Sequence, residues 1–165
     1  MRAAICSAAL AMLAGPALAQ QADEPGLKFM FEETVSLGKV VEVGKTVRGE
    51  RRIIPITGGH FEGPAIKGEV MPGGWDWQLT RADGCTDVKA DYFLKKDDGV
   101  VINVVNTGEI CPGAGGKPAV VRTHPVFEPP LGKYEWLGRR EFVGTLGMAP
   151  PAAGPAVRIR FFEVG

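Results

Sequence analysis

Residues 85–98 read Cys85-Thr86-Asp87-Val88-Lys89-Ala90-Asp91-Tyr92-Phe93-Leu94-Lys95-Lys96-Asp97-Asp98, and this stretch decides the fold class. Val88, Ala90, Tyr92 and Leu94 share one parity against Asp87, Lys89, Asp91 and Lys95 on the other, the period-two signature of a half-buried strand, and a helical template matches fewer positions. Lys96-Asp97-Asp98-Gly99 then supplies a hairpin turn. With the turn centred on residue 98, strand partners lie equidistant from it, and Cys85 and Cys111 each stand 13 positions away. The two sulfurs are therefore expected to face each other at the foot of the hairpin as a disulfide. Free or redox-active thiols are the competing reading, weakened by the absence of a Cys-x-x-Cys.

Working outward, Leu27–Leu37 shows the same alternation, with Leu27, Phe29, Phe31, Val35 and Leu37 on one face and Lys28, Glu32, Thr34 and Ser36 on the other. Glu33 interrupts the apolar face, and a bulge that rotates it to solvent is expected in preference to an interior carboxylate. Segments bounded by Gly or Pro follow at 50–56, 65–71, 75–81, 100–107, 119–127, 134–143 and 156–164. The chain carries 23 glycines and 13 prolines among 165 residues, which leaves little room for long helices. About nine or ten strands with turn signals between them predict an all-β domain, a single closed antiparallel barrel of eight to ten strands. Such a barrel either fills with side chains or holds one small ligand.

The first 19 residues have the form of an export signal. Met1-Arg2 is followed by an apolar or small run to Leu18, and Ala17-Leu18-Ala19 is a small-x-small cleavage pattern. The expected organisation is a signal peptide over 1–19 and one barrel domain over 20–165, in the periplasm or secreted. Cys6 lies inside the signal, away from the cleavage point, so no lipid anchor is expected, and the rest of the chain has no run long and apolar enough for a membrane helix. Lys+Arg 19 against Asp+Glu 19, with no basic tract, excludes the usual footprint of a nucleic-acid binder.

Counting removes several chemistries. Beyond the leader, Ser36 is the only serine and has no Gly-x-Ser-x-Gly around it. Gly44-Lys45-Thr46 lacks the glycine that a phosphate loop needs at position 39, and Gly113-Ala114-Gly115-Gly116 has no helix after it. No acid or cysteine stands at a familiar ligand spacing from His60 or His124, so no metal is expected. What remains is a set of polar residues within apolar strands. In Gly73-Gly74-Trp75-Asp76-Trp77-Gln78-Leu79-Thr80, either both tryptophans face the interior and Asp76 and Gln78 face solvent, or the faces are reversed and Asp76 and Gln78 line a pocket. Arg122 and His124 share one face with Val120 and Val126, fit to bind an anionic group or to form a rim salt bridge. Tyr134, Trp136 and Phe142 form an aromatic series of one parity, core or ligand-stacking.

The ordered motifs Gly58-Gly59-His60-Phe61-Glu62-Gly63-Pro64, Gly68-Glu69-Val70, Gly73-Gly74-Trp75-Asp76-Trp77-Gln78, Asp97-Asp98-Gly99, Arg122-Thr123, Phe127-Glu128 and Tyr134-Glu135-Trp136-Leu137 resemble the domain-of-unknown-function family 3237. The resemblance runs from about Leu27 to Val164. It implies a small antiparallel barrel of calycin-like type with an interior cavity, and it carries Glu62, Asp76, Gln78, Arg122 and Trp136 as matched motif positions without assigning them roles. Asp91 before Tyr92 and Gly138 after Trp136-Leu137 depart from the usual pattern, as does the stretch 109–118.

Two functional readings follow, neither needing a cofactor. One is an exported protein that binds a small apolar or aromatic molecule in the barrel, held by Trp75, Trp77, Tyr134 and Trp136 and oriented by Asp76 and Arg122, with Glu62, Gln78 and His124 nearby. The alternative is an isomerase, cyclase or lyase in which Asp76 is the base and Arg122 or His124 stabilises an oxyanion. An interaction module using a strand edge is a third reading.

Overall fold

The structure, a computed structural model, describes residues 24–113 and 120–165. The expected export signal over 1–19 and residues 114–119 lie outside the described residues. Ten strands follow in chain order: β1 (Leu27–Leu37), β2 (Val41–Thr46), β3 (Gly49–Glu62), β4 (Lys67–Val70), β5 (Trp75–Thr80), β6 (Thr86–Lys96), β7 (Val101–Ile110), β8 (Val121–Glu128), β9 (Phe142–Met148) and β10 (Ala156–Val164). All pairings are antiparallel. The ring runs β1, β10, β9, β8, β7 and β6, then a position shared by β4 and β5, then β3, which pairs with β1 and closes an eight-position barrel.

Closure rests on the length of β3. Its first half takes β5 on one side and β2 on the other, and its second half takes β4 and β1. Gly58 and Gly59 lie inside this strand, where its register with β1 shifts. At Gly59 (φ 142°) an added Cβ would stand 2.0 Å from the Thr34 carbonyl oxygen, so only glycine lets β1 approach.

The central hairpin follows the expected register in every pair, from Thr86 opposite Ile110 to Lys95 opposite Val101, and Cys85 and Cys111 are bonded at its foot. Two expectations need correction. The segment 134–143 is not a strand throughout: Glu135–Arg139 is a 3-10 helix that buries Leu137 after Tyr134, a spacing of three that suits its turn, and β9 starts only at Phe142. Strand β2 was not expected, because Gly44 interrupts it; the register with β3 slips between Glu42 and Gly44, so the glycine marks a bulge rather than an end.

Side chains of unequal size divide the interior. At one end Phe31, Phe61, Phe127 and Phe161 meet ring to ring, with Phe31 and Phe161 centroids 4.7 Å apart, and Tyr134 and Leu137 cover them from outside the ring. Toward the other end the inward positions carry smaller groups: Ala90 on β6, Gly108 on β7, Thr123 on β8 and Gly144 on β9. That half does not fill.

The covalent tie closes a loop of 26 residues. Replacing both cysteines by alanine is expected to lower unfolding free energy by about 3.5 kcal/mol, the chain-entropy value for a loop of this size, with the midpoint shift read in a denaturant titration.

Candidate functional site

Alternation decides which residues of β5 see the lumen. Trp75 and Trp77 stand on the outer wall, 37% and 44% exposed, and Asp76 and Gln78 turn inward, with Gln78 buried. This is the arrangement with the faces reversed, in which the acid lines a pocket. The unfilled half of the barrel is a cavity of about 230 Å³ with two unlike walls. Val35, Leu37, Leu146, Met148, Val157 and Ile159, from β1, β9 and β10, make one wall wholly apolar. Asp76, Gln78, Asn106 and Thr123, from β5, β7 and β8, put polar groups on the other, and Tyr92 joins them.

Strand register arranges the polar wall in two rows. Asp76 stands beside Ala90, and Ala90 beside Asn106. One layer nearer the mouth come Arg52, Gln78, Val88, Gly108 and Thr123, each opposite the next, ending at Gly144 on β9. Arg52 Nε donates to Gln78 Oε1 at 2.7 Å, and Gln78 Nε2 donates to Asp76 Oδ2 at 2.6 Å. This chain fixes the carboxamide in one orientation and leaves Asp76 Oδ1 buried without a partner. Asn106 Oδ1 and Thr123 Oγ1 are also buried and unpartnered. Gly144 is required beside Thr123, since a Cβ there would stand 2.1 Å from Oγ1. Burial lifts the Asp76 pKa above the ordinary carboxylate value, and the Gln78 hydrogen bond and the Arg52 charge hold back part of that rise.

Beneath the cavity lies a second acid, and here the expectation for Glu33 is corrected. A bulge does occur in β1, but it falls at Met30, between Phe29 and Phe31. It turns Phe29 outward against Phe162 and sends Phe31, Glu33 and Val35 into the lumen. Glu33 is 1% exposed, and its Oε1 accepts the hydroxyl proton of Tyr92. Burial pushes the Glu33 pKa up to about 8, with the Tyr92 bond pulling the other way. The Tyr92 hydroxyl is likewise driven well above its usual range, by burial and then by the neighbouring acid.

The remaining candidates lie elsewhere. Arg122 and His124 point outward and, with Trp77, line a groove on the outer wall, because the inward parity of β8 belongs to Thr123, Pro125 and Phe127. Glu62 is exposed at a separate surface depression near Lys95. Tyr134 is buried at the closed end, where its hydroxyl donates to Asp98 Oδ2 at 2.6 Å, and Trp136 packs against Phe142 under the Arg140 guanidinium. The cavity therefore brings together Asp76 and Gln78 from the expected set, and Trp75 stands outside it with the others. Arg52, Tyr92, Asn106 and Thr123 were missed. Asn106 shares parity with Ile102 and Val104, so a polar residue on an apolar face was the available signal; Thr123 is the residue between two that were chosen.

Comparison with known proteins agrees with this architecture. Residues 25–164 match the model of the family described as Protein of unknown function (DUF3237). UPF0311 protein RPA1785 of Rhodopseudomonas palustris is 36% identical over 130 residues, 72% of this chain and 85% of that protein. Its crystal structure, described as a conserved protein of unknown function, aligns with TM-score 0.76 at 32% identity over 86% of this chain and 99% of that one. A beta-barrel like protein from Acinetobacter baumannii aligns with TM-score 0.78 at 29% identity, covering 86% of this chain and 97% of its own. An enzyme from Penicillium herquei, at 23% identity and TM-score 0.66 over 86% and 95%, shares the fold.

The buried acid gives stability a pH dependence. Below pH 4.5 Glu33 is neutral in folded and unfolded chains alike; between 4.5 and about 8 the unfolded chain ionises while the folded one keeps its proton, so stability falls as pH rises through that window. Glu33→Gln keeps an acceptor for Tyr92 and is expected to remove this slope and raise the unfolding midpoint at pH 8. A series of urea titrations from pH 4 to 9 on both proteins measures it.

Proposed function

The chain belongs to DUF3237, a family of proteins of unknown function, and from the two-walled cavity we propose that it binds one small, largely apolar or aromatic molecule inside the barrel. The observation that carries the reading is Asp76 Oδ1, a buried carboxylate oxygen of a residue on the polar wall of a two-walled chamber, with no protein donor to satisfy it. A buried acceptor left so is costly, by about 1–3 kcal/mol, unless a guest or water completes it. An apolar hollow of about 150 Å³ suffices for benzene, so 230 Å³ suits a substituted ring. The proposal includes export to the periplasm or medium. The leader and the Cys85–Cys111 bond support it, the bond because an oxidising compartment favours it. No helix among the described residues is long and apolar enough to cross a membrane.

The raised pKa of Asp76 favours a second reading, acid–base catalysis on the bound molecule with Asp76 as the base. Arg122 and His124 have no part in it, since both face outward, and neither do the exposed tryptophans in gripping the ligand.

Toluene, titrated into methyl-labelled protein and followed by NMR, tests the proposal. Shifts are expected at Val35, Leu146, Val157 and Ile159, with the exposed Val126 unmoved; shifts confined to the outer wall, or none, overturn it. Asp76→Asn is expected to fold and, by removing a carboxylate whose ionised form burial disfavours, to raise the unfolding midpoint at pH 7. A lowered midpoint would assign Asp76 to the scaffold instead of the site.

A further inference from the structure

We infer that the guest is a ring bearing two hydrogen-bond donors on one edge and hydrocarbon on the other, lying over Ala90 with one donor to Asp76 Oδ1 and the second to Asn106 Oδ1. This rests on the cavity reading above and adds the chemical class. Among the described residues four buried polar atoms facing the lumen lack partners: Glu33 Oε2 lies beneath the cavity and off its lining, while Asp76 Oδ1, Asn106 Oδ1 and Thr123 Oγ1 belong to one wall of it, the first two as acceptors. The facing wall offers only aliphatic side chains and the Met148 thioether. A guest with donors all round would strand some of them against Val157 and Ile159, and one with none would leave three oxygens unsatisfied.

Register gives the spacing. Asp76 and Asn106 stand on either side of Ala90 in one row. Neighbouring strands are about 4.8 Å apart, so the two backbones are separated by roughly 10 Å. Inward curvature brings the side-chain tips closer than that. Subtracting a hydrogen bond of about 2.8 Å at each end leaves at most about 4–5 Å between the two donor atoms. That is the separation of substituents on neighbouring or alternate atoms of a six-membered ring. Alanine at position 90 leaves the floor between them clear, where a larger residue would stand in the ring's place. Thr123, in the next row toward the mouth, offers a hydroxyl to a third polar group. The Arg52–Gln78–Asp76 chain occupies Oδ2 from the row nearer the mouth and leaves Oδ1 for the guest.

The test is a graded series on the intact protein: 1,3-dihydroxybenzene, 3-methylphenol and 1,3-dimethylbenzene, which share a shape and lose one donor at a time. Affinities come from the shifts of the cavity methyl groups. Each hydroxyl replaced by methyl is expected to weaken binding about tenfold, and the step from two hydroxyls to one should vanish in Asn106→Leu. Equal or tighter binding of 1,3-dimethylbenzene to the wild type overturns the two-donor class while leaving the cavity reading intact. If none of the three moves the cavity methyls, the cavity reading falls and the two-donor class with it. The wild-type series decides the matter even if Asn106→Leu does not fold.

Discussion

A strand in a closed barrel has only two sides, and whichever residues do not face solvent face the lumen. Everything distinctive here follows from how β5 and β6 meet that constraint. Trp75 and Trp77 outward means Asp76 and Gln78 inward, and no rotation of a side chain can undo it without a bulge. Polar groups brought indoors in this way must find partners. Gln78 finds two, Asp76 finds one on a single oxygen, and Asn106 and Thr123 keep an oxygen each without any. The polar wall is thus incomplete, with three oxygens of its residues left without a partner.

The second determinant is volume. A barrel of this size can close its interior with side chains alone, and the aromatic end does so with four phenylalanines in mutual contact. The hollow end differs in residue size at the same structural positions, not in backbone geometry. Between the two halves sits the Tyr92–Glu33 pair, which seals the aromatic layer with a hydrogen bond and keeps a carboxyl neutral well above the usual range. Glu33 has no direct access to the cavity lining; Tyr92, which does, presents its ring while its hydroxyl points back to the acid.

Much of this was legible from alternation and spacing. The β6–β7 hairpin, its register and its disulfide came from counting positions about one turn, because antiparallel pairing is linear in sequence number. The inward face of β6 came from the same period, and the ends of β1 and β10 came from the glycines and prolines that bound them. What could not be read was phase. A single extra residue at Met30 exchanges the faces of everything before it, and nothing in the local sequence announces it. The same limit applies to Arg122 and His124: their shared face was right, but which face met solvent depended on Phe127 packing into the aromatic layer. Gly44 misled in another way, since glycine marks a bulge within a strand as readily as the end of one.

The Cys85–Cys111 bond lies at the hollow end, beside Ile110 at the rim of the cavity. Hairpins fray from their open feet, and here the open foot is the lip of the chamber. A covalent clasp there stops the seam between β6 and β7 from unzipping, so that part of the doorway keeps its width whether or not anything occupies the room. Preorganisation of that kind spares a guest the entropic toll of shaping its own aperture.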